Sequence, residues 1–268
     1  MGKFQVILRP IFAVIERDLV KLFRQKGRLL SALVRPLIWL LVIGAGFDAL
    51  IENKTTGYRS FLIPGVLGMS ILFGALLGAL STVYEKESGV MKLMIIAPFE
   101  HFWIVFAKMA AASISACIQV ILLLIVLIFL GDIDKNINLL LLIISILLLS
   151  ISCAGIGMLV ASFSKTLDNF AAIMNFVIFP VFFLSGSLYP VTNLPGFLGV
   201  IAKLNPYTYG VDLLKHSINV PLGGSADFSV ILNISILLSF TVVAFILSSW
   251  RFSRDEAHNV WFPPPKKK

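Results

Sequence analysis

The sequence predicts an all-α, polytopic membrane protein with six transmembrane helices and an amphipathic helix before the first of them. Three observations carry this. Of 268 residues, 58% are hydrophobic and 13% charged, with mean hydropathy +0.96; a soluble domain is about half apolar and about a quarter charged. The apolar residues gather into windows near the roughly 20 residues that a bilayer span needs. Lys and Arg alternate between rich and poor connections, the bias that cytosolic loops carry.

The elements follow in order. An interface helix is expected over residues 5–30, where the stretch "IFAVIERDLVKLFRQKGRLLSALVRP" (Ile11–Pro36) begins with Ile11, Ile15, Leu19, Leu22 and Phe23 at helical spacing while Glu16, Arg17, Lys21 and Arg24 take another face. Such a helix suits the membrane surface, and a soluble helix packed on a partner is the alternative. The spans are expected at 33–50, 61–83, 103–130, 137–163, 170–188 and 230–250. A connection at 84–102, a region at 189–229 and a tail at 251–268, ending FPPPKKK, complete the chain. The first ~30 residues are charged throughout, so no cleavable signal peptide is expected.

With six spans both termini share a side. That side receives Lys3, Arg9, Arg17, Lys21, Arg24, Lys26, Arg28 and Arg35, then Lys86, Lys92, Lys108 and Lys165, then Arg251, Arg254 and the terminal lysines. The other side holds Lys54, Arg59, Lys135, Lys203 and Lys215. Both termini are therefore expected in the cytosol. This distribution accounts for the net charge of +8, and no basic run with interleaved aromatics points to nucleic acid.

The spans are nearly free of charge. Asp48 lies at the outer end of the first and Lys108 near the inner end of the third, and Gln119 and Asn175 are the main deep polar groups. Ser145, Ser150, Ser152 and Ser162 read as helix-packing hydroxyls. No intramembrane carboxylates or histidines offer a proton relay. The one Gly-Lys pair, Gly2-Lys3, cannot form a P-loop, so ATP hydrolysis is not expected in this chain. Cys117 and Cys153 lie in apolar runs, and His101, His216 and His258 are far apart, so neither a disulfide nor a metal site is indicated. Glu85, Glu87 and Asp168 are the nearest approach to catalytic carboxylates, and solvated loop charge is the simpler reading. A channel or a membrane-embedded enzyme acting on lipids or small solutes is the competing function, with Asp168 and Asn169 its only foothold.

Two short stretches carry more. "YEKESGVMKLMIIAPFEHFW" (Tyr84–Trp103) opens with acids, continues with an apolar edge of Val90, Leu93 and Met94, and stops at Pro98. It reads as a short helix that either presses into a partner's groove or rests on the membrane surface. In the second span Gly74 and Gly78 form a GxxxG pair, a close-packing seam either within the chain or between two copies.

The layout resembles the permease subunit of ABC exporters of the type 2 class. The match lies in Glu85-Lys86-Glu87-Ser88-Gly89 and Ala97-Pro98 after the second span. It continues in Ser185-Gly186, Pro190, Pro195 and Asn205-Pro206 after the fifth, and the topology covers nearly the whole chain. The resemblance implies that 84–102 is a coupling loop gripped by a separate ATPase subunit through Glu85, Glu87, Gly89, Leu93 and Pro98. It implies that two copies join two ATPase subunits, partly through the first and fifth spans, with ATP and Mg bound by the partner and no cofactor here. It places an extracellular re-entrant helical hairpin after the fifth span, in which Gly186, Pro190, Pro195, Asn205 and Pro206 shape an outer gate. Physics fits this, since "GFLGVIAKL" (Gly196–Leu204) is too short to span and broken backbone at membrane depth needs cover by protein or a watery cavity; a plain extracellular loop is the alternative. The implied setting is a bacterial plasma or inner membrane, among lipids, and the implied cargo an amphipathic drug, lipid or lipid-linked glycan.

Overall fold

The computed structural model describes residues 3–48, 58–91, 101–133, 137–218 and 226–261. α1 (Lys3–Arg24) lays Ile11 and Val14 against Ala107 and Trp103. It ends where Gln25 leaves helical geometry at φ −90°, ψ 62°. α2 (Lys26–Ile38) then departs at 66° to α1. It passes through a π-helical segment (Trp39–Gly44) into α3 (Ala45–Asp48). The expected amphipathic helix, 5–30, therefore stops at Arg24, and its last residues belong to the next helix. Its apolar stripe is also shifted: Ile11 and Leu22 turn inward as expected, but Val14 joins them while Phe23 is 55% exposed.

α4 (Tyr58–Glu87) is the axle of the bundle, buried along most of its length. α5 (His101–Leu130) packs against it through small residues. A Cβ on Gly74 would come within 2.8 Å of Ala116 Cα, and one on Gly78 within 2.6 Å of Ala112 Cα. The GxxxG pair thus serves α4–α5 packing inside the chain. α6 (Leu139–Phe163) starts where the Asn138 side chain accepts from Leu141 N at 3.1 Å. Its Gly157 lies against Ala79 of α4. Ser145 bridges α6 to the Leu213 carbonyl at 3.2 Å, and Ser152 meets Thr241 at 2.9 Å.

α7 (Leu167–Phe183) is capped by Thr166. A 3₁₀ turn (Val191–Asn193) and α8 (Gly196–Leu204) follow. α9 (Pro206–Ile218) is buried almost throughout. Its first turn sits beside Gly68 of α4, and Gly210 abuts Leu149 of α6. Its last turn reaches the start of α6, where Asn138 N donates to the Ser217 carbonyl at 2.9 Å. α9 therefore runs from the middle of the bundle to one end. α10 (Val230–Trp261) closes the described chain and extends well into the expected 251–268 tail.

Among the described residues, four helices are long and apolar enough to cross a membrane: Tyr58–Glu87, Phe102–Leu130, Leu139–Phe163 and Val230–Arg254. The bent pair Arg9–Arg24 plus Leu29–Gly44 makes a fifth if taken as one span. The expected fifth span, 170–188, appears as the 17-residue α7, about 26 Å at ~1.5 Å per residue and short of the ~30 Å hydrocarbon core. It stops early because Leu184 leaves the helix and Gly186 takes φ +75°.

The contacts define two ends. α1, the end of α4 and the start of α7 meet at one, called here the basic end. At the opposite end Arg59 pairs with Asp132 at 2.7 Å, and Tyr58 Oη donates to the Leu188 carbonyl at 2.7 Å.

Candidate functional site

The last turn of α4 carries Glu85, Lys86 and Glu87 in succession, and each goes to a different element. Glu85 turns inward. Its Oε1 accepts from Arg17 Nη2 at 2.6 Å and Lys21 Nζ at 2.8 Å, both on α1. Its Oε2 lies 2.7 Å from Lys108 Nζ of α5, and the Glu85 and Lys108 side chains are each 1% exposed. Lys108 also donates to Asp18 Oδ2 at 2.8 Å, and Ser81 Oγ to the same oxygen at 3.3 Å. Three cations and two carboxylates thus tie α1, α4 and α5 together. Buried ions are tolerated in this way, each surrounded by opposite charge.

Lys86 Nζ donates to the carbonyls of Ala161 and Ser162, at 3.0 and 3.2 Å, in the last turn of α6. Its charge meets the negative end of that helix. Glu87 Oε2 accepts from Leu167 N at 2.9 Å, the first residue of α7, so its charge meets the positive end of the next helix. Gly89 follows with φ +77° and closes α4 through its own N–H to the Lys86 carbonyl at 3.2 Å. Glycine suits that left-handed position because it has no Cβ. Leu93 and Pro98 lie outside the described residues. Glu85 is therefore a buried ion rather than a solvated loop carboxylate, and Glu87 reaches a helix start.

The residues singled out after the fifth span come together at the junction of α7, α8 and α9. Asn205 Nδ2 donates to the Val181 carbonyl at 2.7 Å while its Oδ1 accepts from Tyr207 N at 3.1 Å. It thereby ties α7 to the start of α9, whose first residue is Pro206. Pro190 and Pro195 precede the 3₁₀ turn and α8. A Cβ on Gly186 would lie 2.7 Å from Val191 Cγ2, and its positive φ already disfavours a side chain. Gly186→Ala should cost about 1–3 kcal/mol locally and loosen this corner. A cysteine placed at the buried Val191 should then react with a maleimide several times faster than in the parent.

A second charged cluster lies at the opposite end. Asp212 of α9 accepts from Asp227 N at 2.6 Å, Phe228 N at 3.1 Å and Asn233 Nδ2 at 2.8 Å. Asp227 Oδ2 in turn accepts from Val191 N at 3.2 Å and faces Lys215 Nζ at 3.5 Å. Burial raises the Asp212 carboxyl above its ordinary value, opposed by Asn233, the Asp227 and Phe228 amides and Lys215.

Asp18, Asp212 and Asp227 were missed in the sequence. Asp18 had a visible signal, because Ile11, Val14, Asp18 and Leu22 share one helical face, which places an acid within the buried stripe. Asp212 is likewise an acid inside an otherwise buried helix. Asp168 is exposed in the first turn of α7. Among the described residues no group of three His, Cys, Asp or Glu could hold a metal ion.

The family whose sequence model is described as "ABC-2 type transporter" matches residues 9–219. The chain is 28% identical over 254 residues to the "Putative transport permease ycf38" of Cyanophora paradoxa, covering 90% of this chain and 88% of that protein. It is 27% identical over 224 residues to "Nodulation protein J" of Rhizobium leguminosarum bv. viciae, covering 82% and 85%. It is 27% identical over 165 residues to the "Probable multidrug ABC transporter permease YbhR" of Escherichia coli (strain K12), covering 61% and 45%.

Proposed function

The chain belongs to the ABC-2 type transporter family, a transmembrane subunit of an ABC system, and on that premise we propose that it is the permease of an ATP-driven exporter. The family match across residues 9–219 carries this reading. Two copies form a pathway along their interface, and separate ATPase subunits bind ATP and Mg. The partner grips the stretch after α4, through Glu87, Gly89, Leu93 and Pro98, and Glu85 passes the displacement to α1 and α5. The ion-paired end of α4 supports this, since motion there engages three helices at once.

In this reading the chain makes six passes, with α2–α3 and α7 as the irregular ones, and both termini in the cytosol of a bacterial plasma or inner membrane. The α8–α9 hairpin re-enters from outside and acts as the outer gate, a role that the position of α9 in mid-bundle supports. The seam between copies uses α7. Its uncovered face carries Asn175, with Phe176 82% exposed beside it, and an amide in lipid gains from a partner across a helix interface. The cargo is an amphipathic drug, lipid or lipid-linked glycan, in keeping with long apolar helices and with a relative named a multidrug permease.

The test is co-purification from the native host after mild solubilisation. A stoichiometric ATPase subunit is expected, with its yield reduced at least several-fold by Glu87→Ala combined with Gly89→Ala. Intact, monodisperse protein that never carries an ATPase would overturn the reading.

A further inference from the structure

Arg35 of α2 carries a positive charge to mid-depth in the bundle. Its Cζ lies 4.2 Å from the centre of the Phe73 ring on α4. Phe73 stands halfway along that 30-residue helix. It is about 20 Å from Arg59 towards one end and from Lys86 towards the other, at ~1.5 Å per residue. A hydrocarbon core is ~30 Å thick, so the guanidinium lies near its midplane. The charge distribution along the sequence counts Arg35 on the cytosolic side, and the contact with Phe73 corrects that. We propose that Arg35 binds the oxyanion headgroup of the cargo, a phosphate or carboxylate, and that the cargo is therefore an anionic amphiphile. The inference deepens the permease reading and rests on it.

A cation at that depth is costly unless an anion or a watery cavity meets it. Among the described residues the Arg35 side chain makes no ion pair and no hydrogen bond. Every described carboxylate side chain sits on α1 or towards one end of the bundle. Glu85, Glu87 and Asp168 lie at the basic end, and Asp132, Asp212 and Asp227 at the other. A second copy brings the same set, so it offers none of these carboxylates at this level. Stacking on Phe73 covers one face of the guanidinium. The N–H donors point outward in the plane of the group, the geometry that takes an oxyanion on two bonds at once.

The surroundings suit an apolar tail. On α2, Arg35 is exposed among Val34, Ile38, Leu41 and Val42, which are exposed too. On α4, Phe73, Leu77, Leu80 and Tyr84 follow one another at helical spacing. All four are partly or fully exposed, whereas Ala75, Ala79 and Val83 are sealed. This stripe leads from Arg35 to the basic end. One fixed cation on an apolar surface selects a molecule with one anionic group and a long chain, and it repels a cationic one.

The experiment equilibrates the full-length protein, delipidated in dodecylmaltoside, with equal amounts of oleoyl lysophosphatidic acid and oleoyl lysophosphatidylcholine. The two share a tail and differ in headgroup charge, and bound copies are counted by native mass spectrometry. A preference for lysophosphatidic acid of about tenfold is expected, the size of one charge-assisted contact. Arg35→Met should bring it near unity, Arg35→Lys should keep part of it, and Phe73→Leu should lower it several-fold. Lys26→Gln, an exposed charge at the start of α2, should change nothing. Without added lipid, Arg35→Met should unfold at the same temperature as the parent or higher, because an unpaired cation has been removed; a structural arginine would lower it. Equal binding of both lipids by the parent, a preference unchanged in Arg35→Met, equal loss in Lys26→Gln, a large fall in the unfolding temperature of Arg35→Met, or displacement by millimolar inorganic phosphate would each overturn the proposal. So would an Arg35→Met protein that loses its dimer and keeps its lipid preference, since Arg35 would then belong to the seam between copies. The binding needs no ATPase. A protein that carries its ATPase but shows no preference keeps the permease reading and loses this inference, and one that shows the preference but never carries an ATPase binds anionic lipid without being a permease.

Discussion

Glu85→Gln is expected to destabilise the protein by about 3–5 kcal/mol, the cost of breaking a buried ion pair by removing one partner. The variant leaves Lys108, 1% exposed, facing only Asp18 and two further cations. The effect should appear as a large fall in apparent unfolding temperature in detergent. Glu87→Gln should fall much less, since its contact with Leu167 N is exposed to solvent. Adding Lys108→Met to Glu85→Gln removes the stranded cation, so the double variant should be more stable than Glu85→Gln alone. If the two changes simply add, the pair is not the coupled unit described here. The double variant also separates fold from function. It should regain stability yet remain deficient in transport, because the link from α4 to α5 is gone.

Gly78→Val should be as damaging through packing alone. The new Cβ would stand 2.6 Å from Ala112 Cα and 2.8 Å from Ala112 Cβ. Backbone cannot yield there without parting α4 from α5. Overpacking of a tight core costs about 1–3 kcal/mol, and more when main chain is the obstacle. Gly46→Val is the control, since a Cβ there meets nothing within 4 Å. The expected result is loss of monodisperse protein for Gly78→Val and normal behaviour for Gly46→Val, judged by size-exclusion chromatography. A folded, monomeric Gly78→Val protein would instead place the glycine at a seam between copies.

The long spans were legible in the sequence because their physics is one-dimensional. Four of the six windows became α4, α5, α6 and α10; the first three shifted by a few residues, while α10 continues past its window to Trp261, where the sequence turns polar. The other two were blurred for identifiable reasons. The sequence near residue 25 holds no proline, and only Gly27, a weak signal by itself, lies beside the 66° bend at Gln25. The fifth window ran to Leu188 on hydropathy, and the glycine that ends the helix, Gly186, sits within it. The charged junction was half visible. Glu85, Glu87 and Gly89 stood out as a pattern, but the pattern could not say that Glu85 points inward to residues 64 and 68 positions earlier. That depends on how α1 rolls against α5. Periodicity measured from Phe23 gave the wrong roll by one residue, and measured from Val14 it puts Asp18 in the core.

The capping roles of Lys86 and Glu87 have a mechanical consequence. One holds the final carbonyls of α6 and the other the opening amide of α7. The corner between those helices, Ser164 to Thr166, is thus clamped from both sides by neighbouring side chains of one rod. A push on the end of that rod cannot be absorbed locally. It either snaps two charge-assisted contacts or swings α7 as a boom about its lower end, and the arc is widest at the far tip, where Phe182 and Phe183 meet Trp39 edge-on.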